Sequence, residues 1–308
     1  MQTWPSTKYE WVKTMNTLSI LIVSGLFTGS IYSLMAIGYV VVYKSTKVLN
    51  FSQGMLVVMG SYLLWSTLSV GMPVWLSIIH AFASAMGLSI FIERVCMRPL
   101  IGQPILASVM VTLALIGGLR GLILLIWGPN RKTFPVNIIP RGAWDLMVVS
   151  LPKEKAMALL AAITIIILLY LFFRYTRFGL GMKVTSEDHT IAQIVGVNIN
   201  QIFSTSWAIT GLVATIGGLF LGTIINIHPE LEEIGLKALA AMLLGGLESI
   251  PGAFIGGLII GLTETISGEY LHTILGPSIG GVFPYILIIL VLMVRPYGIF
   301  GWRKIERV

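Results

Sequence analysis

Long apolar runs separated by short polar stretches repeat along the whole chain. Most are about 20 residues long and nearly free of charge, which is what a helix needs to cross a bilayer. They cover residues 18–43, 50–68, 73–92, 103–127, 156–175, 203–227 and 282–294. The region 236–267 is also apolar but is broken at "GGLESIPG", and each half is short for a crossing, so we expect a broken or re-entrant helical hairpin there. The pattern predicts an all-α polytopic membrane protein with about eight transmembrane helices.

Composition excludes a water-soluble fold. Of the 308 residues, 56% are hydrophobic and 11% charged, whereas soluble domains carry about 25% charged residues. A transmembrane barrel would need alternating segments of about ten residues, which the sequence lacks. The first run is too long for a signal peptide and no small-residue cleavage site follows it, so we expect it to be retained. We therefore expect one transmembrane domain over residues 1–308.

Basic residues set the expected orientation, because Lys and Arg are enriched in cytoplasmic loops. If the basic tail is cytoplasmic, alternation puts the other basic connections on the same side and the N-terminus outside. The segments expected inside are 44–49, 93–103, 174–201 and the tail 298–308. The net charge of +7 thus reflects membrane topology and does not indicate nucleic acid as a partner.

The loop 128–155 is expected outside, and an acidic connection follows later in the chain. The loop 128–155 is rich in proline, and its "VNIIP" stretch indicates extended structure. It is basic at Arg131, Lys132 and Arg141 although it faces outward, which breaks the positive-inside rule. The second connection, 228–235, is an acidic loop.

A cluster of uncharged polar residues interrupts the apolar pattern at the start of the second run. It consists of Asn50, Phe51, Ser52, Gln53 and Gly54. One interpretation is a helix boundary in which Asn50 or Ser52 caps the helix that follows. The other is a break in a spanning helix that exposes polar groups to a central, uncharged pathway. The two interpretations are compatible.

The polar segment 177–201 contains a candidate short helix, "TSEDHTIAQIVG". Thr185 or Ser186 is the expected cap, acidic residues follow in the first turn, and Gly196 is a natural stop. The apolar residues Ile191, Ile194 and Val195 fall on one face. This stripe either packs back on its own protein or presents an apolar surface to another one.

Several chemical classes have no motif in this sequence. There is no GxxxxGK[ST] phosphate loop, and no catalytic Ser–His–Asp, HExxH or paired-carboxylate pattern. Ion-coupled transporters usually need ionisable residues inside their spans, and Glu264 is the main exception to their scarcity here. The lone Cys96 excludes an intrachain disulfide. Glycines spaced by four residues, such as Gly25 and Gly29, predict close packing of helices.

Several blocks of the sequence resemble LivH-type permeases of branched-chain amino-acid ABC importers. The first is "GLFTGSIYSLMAIGYVVVYKSTKVLNFSQGMLVVMGSYL", where the family has a form near "G-x-x-x-G-x-x-Y-A-L…NFAHG". The blocks "ERVCMRPL", "GLKALAAMLLGGLESIPGAFIGGLIIGLTE" and "LVLMVRPYGIFG" follow in the family's order, and "RYTRFGLGMKVTSEDHTIAQIVGVN" is similar to its coupling region. The resemblance covers nearly the whole chain. It departs from the family at Ser52 and Gln53, where the usual residues are Ala and His.

The resemblance implies a non-catalytic permease subunit in an importer of five parts in a bacterial or archaeal plasma membrane. Its partners would be a LivM-type permease, two cytoplasmic ATPases that use ATP and Mg, and an extracytoplasmic solute-binding protein. The chain itself would bind no cofactor and no metal. The short cytoplasmic helix would be the ATPase-coupling helix, formed by Ser186, Glu187, Asp188, Ile191, Ala192, Ile194, Val195 and Gly196. The polar cluster would line the substrate pathway.

Charge alone suggests that Arg131, Lys132 and Arg141 dock acidic patches of the binding protein. Related permeases transport urea, short amides or aromatic carboxylates. An importer of the same kind that takes one of these solutes is therefore an alternative to an importer of hydrophobic amino acids. A stand-alone secondary transporter or channel is the alternative from another class.

Overall fold

The chain is almost entirely helical, as its hydrophobic pattern predicts. This computed structural model describes residues 7–146, 149–187, 189–276 and 278–301. Its helices are α1 (Thr7–Thr46), α2 (Gln53–Ser69), α3 (Val74–Ile92), α4 (Ile105–Trp127), α5 (Lys153–Tyr175), α6 (Arg177–Glu187), α7 (His189–Ile194), α8 (Ile199–Ile225), α9 (Ile234–Gly245), α10 (Ile250–Tyr270), α11 (His272–Leu275) and α12 (Ile279–Val294). Two short strands, β1 (Ala143–Leu146) and β2 (Val149–Pro152), form an antiparallel hairpin.

Six of the described helices are long and apolar enough to cross a membrane. They comprise α4, α5, α8 and α10, together with Leu18–Thr46 of α1 and Val74–Leu100, which continues α3. The helices α2 and α12, with 17 and 16 residues, are shorter than the roughly 20 residues that a crossing needs. The all-α membrane fold is therefore confirmed, and eight full crossings stay a prediction.

Helices α1 and α8 occupy the centre of the bundle. About two thirds of their spanning segments are buried, 61% and 67%, whereas the corresponding share for α4 is 17%. The exposed faces of α3, α4 and α5 are apolar, with exposed side chains such as Phe91, Leu125 and Leu168. Because lipid tails are as apolar as these side chains, α3–α5 form a lipid-facing layer around a core of α1, α2, α8 and α10.

The basic segments meet at one end of the bundle. Lys47, after α1, pairs with Glu248 between α9 and α10, and the Lys44 ammonium lies 4.7 Å from the ring of Phe173 near the end of α5. Arg98 bonds to Ser204 at the start of α8. We call this the α6 end, and its common location agrees with the grouping expected from the positive-inside rule.

The loop 128–155 lies at the opposite end, which we call the β-hairpin end. Backbone hydrogen bonds join Lys132 to Ile227 after α8, and the Trp65 indole donates to the Thr133 carbonyl. The expected extended structure exists as the β1–β2 hairpin, whereas the "VNIIP" stretch at 136–140 forms no strand.

The region 228–267 differs from its prediction in two places. The expected acidic loop 228–235 is instead a 3₁₀ turn, Pro229–Glu233, followed directly by α9, and it enters the bundle because Glu232 pairs with Arg120 of α4. The second half of the expected hairpin is not short, since α10 has 21 residues and is long enough to cross. The first half, α9, has 12 residues and spans only about 18 Å.

The helices α1 and α10 pack with almost no space between their backbones. A Cβ atom on Gly25 would lie 2.8 Å from the Cα of Leu262, and one on Gly261 would overlap with backbone atoms of Gly29. Small residues allow such close approach in membranes, where hydrophobicity does not drive helices together. The glycine spacing in the sequence therefore marks the α1–α10 contact.

Replacing Gly261 with alanine should lower the stability of the bundle by about 1–3 kcal/mol, because the neighbouring backbone cannot move away from the new methyl group. The measurement is the melting temperature of the purified complex in detergent. Gly87→Ala is the matched control, since nothing lies within 4 Å of a Cβ at this glycine of α3. Equal melting temperatures for the two variants would contradict the close packing.

Candidate functional site

The predicted polar cluster forms a buried, non-helical connection between α1 and α2. Asn50 Oδ1 accepts hydrogen bonds from the Ser52 hydroxyl at 2.6 Å and from the Ser52 amide at 3.2 Å. Ser52 occupies the N-cap position of α2, but its side chain accepts no bond from the helix. The helix boundary is therefore confirmed. The expected side-chain cap is wrong, because Ser52 has φ −76° and ψ 2° and not the extended backbone of a capping residue.

This connection reaches well into the bundle. The Gln53 amide lies directly against Gly38 of α1, which is about 12 Å from Thr46 at 1.5 Å per helical residue. Asn50, Ser52 and Gln53 are fully buried, and Asn50 Nδ2 and both amide atoms of Gln53 have no hydrogen-bond partner. Irregular backbone at membrane depth is tolerated where protein covers it, and that condition holds here.

The starts of α2 and α9 meet inside the bundle. A Cβ on Gly54 would lie 2.6 Å from the Glu232 carbonyl oxygen, and one on Gly235 would lie 2.8 Å from the Cα of Gly54. The Tyr39 hydroxyl donates to the Gly235 carbonyl at 3.1 Å. Since α9 ends at the α6 end and is only about 18 Å long, both helix starts lie within the membrane.

A cleft of about 100 Å³ opens where these two helices meet. Its lining consists of Tyr39, Phe51, Gly54, Met55, Ile116, Glu232, Glu233 and Leu236. Of the predicted pathway residues, Phe51 and Gly54 line the cleft, and the other three are buried beside it. The cleft is also acidic, whereas the sequence suggested an uncharged route.

The sequence analysis identified Glu264 but none of the other charged side chains inside the membrane helices. Arg120 of α4 pairs with Glu232 at 2.7 Å. Lys237 of α9 pairs with Glu264 of α10 at 2.6 Å, and the Tyr32 hydroxyl donates to the other Glu264 oxygen at 2.6 Å. A lone arginine in the apolar run "GGLRGLILL" is a signal for such a site, because an ionised side chain in a spanning helix requires a partner.

The predicted coupling helix is divided differently by the structure. Thr185, Ser186 and Glu187 form the last turn of α6, and the Ser186 hydroxyl donates to the Lys183 carbonyl. The expected cap at Thr185 or Ser186 is therefore wrong, because α6 already continues through these residues. Asp188 lies outside the described residues.

The helix α7 (His189–Ile194) carries the predicted apolar stripe. Ile191, Ile194 and Val195 are 54%, 79% and 70% exposed, whereas Ala192 is fully buried. Gly196 ends the segment with a φ of 86°, and the Val197 amide closes it by donating to the Ala192 carbonyl at 2.9 Å. The glycine stop is confirmed, and α7 is held by Ala192 while its apolar face points outward.

The three basic residues of the outer loop are not equivalent. Arg131 and Arg141 are exposed. Lys132 is half-buried, with its ammonium 5.0 Å from the centre of the Trp65 ring. Burial and the neighbouring Arg131 lower the pKa of His228, which follows α8.

The α6 end contains a fully buried carboxylate. Glu93 starts a π-helical turn, Glu93–Met97, that continues α3. Arg98 binds both of its oxygens, at 3.0 and 2.8 Å, and the Ser204 hydroxyl donates to it at 2.7 Å. This network joins α3 to α8 beside the α6–α7 segment.

Comparison with known proteins identifies the family. The family described as "Branched-chain amino acid transport system / permease component" matches residues 21–292. The high-affinity branched-chain amino acid transport system permease protein LivH of Escherichia coli (strain K12) is 31% identical over 303 residues, covering 92% of this chain and 96% of that protein. The probable branched-chain amino acid transport permease protein LivH of Methanocaldococcus jannaschii is 29% identical, covering 89% of this chain and 90% of the relative.

A likeness among solved structures is more distant. A chain from "PsaBC from Streptococcus pneumoniae in complex with Fab" superposes with a TM-score of 0.47 at 11% identity, covering 90% of this chain and 92% of that chain. No family assignment is based on this similarity. The family match over residues 21–292 and the 31% identity to a relative covered over 96% of its length show which family the chain belongs to. The chain is therefore a multi-pass protein of the plasma membrane and belongs to the branched-chain amino acid transport system permease component family.

Proposed function

We propose that this chain is one permease subunit of an ATP-driven, binding-protein-dependent importer of branched-chain or other hydrophobic amino acids. The observation that carries the proposal is an exposed apolar surface at the end of the bundle where the basic segments lie. It is formed by Ile194, the last residue of α7, and Val195 directly after it. The chain has no phosphate loop, so the work comes from two cytoplasmic ATPases that use ATP and Mg. The chain itself catalyses no reaction and binds no cofactor.

The proposed orientation has the N-terminus outside and the C-terminal tail in the cytoplasm of a bacterial or archaeal cell. It follows from the basic residues at the α6 end, because Lys and Arg are enriched on the cytoplasmic side. The α6 end then faces the ATPases, and the β-hairpin end faces the extracytoplasmic binding protein. A LivM-type permease completes the membrane part of the complex.

In the proposed mechanism, closure of the ATPase dimer moves α7, and the membrane helices switch the cleft from outside to inside access. Such a switch needs a difference in binding free energy between the two states. Phe51 and Gly54 lie in the cleft, and the buried residues Asn50, Ser52 and Gln53 support the turn that carries them.

Reconstitution of the five-part complex in liposomes tests this function. We expect uptake of leucine, isoleucine or valine against a gradient only when ATP, the ATPases and loaded binding protein are all present. Uphill uptake by liposomes that contain this chain alone would favour a secondary transporter instead. Uptake of urea, short amides or aromatic carboxylates by the complete complex, without amino-acid uptake, would contradict the proposed substrate class.

Charge reversal at Arg131 and Arg141 should weaken docking of the binding protein. Both side chains are exposed, and rim charges act mainly by speeding up encounter. The double variant Arg131→Glu/Arg141→Glu should raise the half-saturating concentration of binding protein by about tenfold at low salt and leave the maximal uptake rate unchanged. The charge of Lys132 should matter less, because its ammonium stacks on Trp65.

The control for this experiment is Arg94→Glu, which reverses an exposed charge at the α6 end. It should leave the half-saturating concentration of binding protein unchanged. A docking effect must also shrink at high salt, because salt screens exposed charges. Half-saturation that is the same for the double variant and the wild type would remove the docking proposal.

A further inference from the structure

Two ion pairs lie at a similar distance from the β-hairpin end of the bundle. Arg120 is about 10 Å from the end of α4 at Trp127, and Glu264 is about 9 Å from the end of α10 at Tyr270, at 1.5 Å per residue. Their partners, Glu232 and Lys237, stand close together in sequence on either side of the start of α9. The membrane interior at the start of α9 therefore has charges of both signs.

The charged side chains near the start of α9 are partly exposed. The Lys237 and Glu264 side chains retain 22% and 21% exposure. Glu233 is exposed, and Leu236 beside it is 51% exposed. A charge facing lipid at this depth costs several kcal/mol, so this face borders the translocation path or the second permease subunit, and not the lipid.

Glu233 and Lys237 carry opposite charges, and only Lys237 has an ion-pair partner among the described residues. Glu233 has helical dihedral angles, so the two residues lie one turn apart, with Cβ atoms about 6 Å from each other. Lys237 is engaged with Glu264. No basic side chain among the described residues forms an ion pair with Glu233, although it lines the cleft.

The remaining surface of the cleft suits an apolar group. Leu236 lies between the two charged residues, and Phe51 lines the same cleft. Glu233 and this apolar wall line the cleft, and Lys237 lies beside the cleft, one helical turn after Glu233. A molecule with an ammonium group, a carboxylate and an apolar side chain would match the Glu233 carboxylate, the Lys237 ammonium and the apolar wall. Urea and short amides, which are uncharged, would leave Glu233 without an ionic partner and would give Lys237 no carboxylate to replace Glu264.

We propose that Glu233, in the lining of the membrane cleft, and Lys237, beside it, form a transient site for the zwitterionic head group of an α-amino acid. Glu233 accepts hydrogen bonds from the α-ammonium group, and Lys237 donates to the α-carboxylate after it releases Glu264. The amino-acid side chain lies against Phe51 and Leu236. The Arg120–Glu232 pair holds the turn that carries Glu233. This inference rests on the proposed amino-acid importer function and assigns the solute contacts within it.

The test uses the complete importer in liposomes at saturating loaded binding protein. Glu233→Gln and Lys237→Met should each lower leucine uptake by about 10- to 100-fold, which corresponds to the loss of one charge-assisted hydrogen bond. ATPase activity stimulated by the binding protein should stay within about twofold of the wild type. The measured quantity is therefore leucine transported per ATP hydrolysed, which should fall by the same factor as the uptake.

Glu230→Gln is the matched control, because Glu230 lies on the same 3₁₀ turn, is 68% exposed and does not line the cleft. It should transport as the wild type does. A normal leucine-to-ATP ratio in Glu233→Gln, or an equal loss in Glu230→Gln and Glu233→Gln, would overturn the site. Glu233→Asp, which keeps the charge, should recover part of the uptake.

Two further comparisons separate possible failures. If Lys237→Met does not assemble, the Glu233→Gln and Glu233→Asp pair still decides the question, because Glu233 is exposed and makes no ion pair in the described structure. If the wild-type complex imports no amino acid, the proposed function fails, and the zwitterion site fails with it. If the wild type imports leucine and Glu233→Gln does so equally well, only the site fails.

Discussion

Replacing Ile194 by aspartate is expected to reduce solute uptake by the complete importer on the order of 100-fold. Ile194 is 79% exposed at the end of α7, and the proposal places it in an apolar groove of an ATPase. Burying a carboxylate there without a partner costs several kcal/mol, and each 1.4 kcal/mol is a factor of ten in affinity. The ATPases should still hydrolyse ATP, but the binding protein should no longer stimulate them.

The variant should remain folded, because the side chain of Ile194 is largely outside the core. Val70→Asp is the matched control, since Val70 is an apolar residue that is 81% exposed at the β-hairpin end, beyond α2. The assay compares uptake, stimulated ATPase activity and co-purification of the ATPases for both variants. Full uptake by Ile194→Asp would exclude α7 as the coupling element.

Replacing Arg98 by leucine is expected to destabilise the bundle by about 3 kcal/mol. Glu93 has no exposed surface, and without Arg98 its charge keeps only the Ser204 hydroxyl as a partner. The melting temperature of the purified protein should fall by roughly 6–12 °C for a loss of this size. The effect is large because the unpaired Glu93 carboxylate is buried and cannot be hydrated.

The double variant Glu93→Gln/Arg98→Leu separates the buried charge from the lost packing. It removes the stranded charge and should recover at least half of the lost stability. Arg174→Leu is the control, because Arg174 is exposed at the same end of the bundle and should change stability by less than about 1 kcal/mol. No recovery in the double variant would show that packing of the Arg98 side chain is the dominant contribution.

The spans and the glycine contacts could be predicted because they depend on local sequence. Apolar runs of membrane length became α1, α3, α4, α5 and α8. The length of α10 was not predicted, because the break at "GGLESIPG" suggested two short halves. Gly25 and Gly29 were expected at a helix contact, and they do pack against α10. The end of the α7 segment at Gly196 could also be predicted, because glycine adopts a positive φ without strain.

The helix boundaries within the polar segments could not be predicted from the local sequence. Thr185 and Ser186 are good caps in principle, but both are buried and α6 runs through them. The helical pattern starting at Arg177 and the packing of Met182, which is fully buried, outweigh the local capping preference. Capping is worth about 1 kcal/mol, which is less than burying one large apolar side chain.

The sequence by itself determined that the chain crosses the membrane as helices, that its helices pack closely through glycine and that an apolar stripe precedes Gly196. These features follow from hydrophobic length, side-chain size and backbone freedom, which each residue carries with it. Only the tertiary structure decided that Glu232 enters the membrane to meet Arg120, that Gly54 touches Gly235 and that Lys237 pairs with Glu264. Such contacts join residues far apart in the chain, and the free energy of a buried charge depends on the partner that folding brings to it.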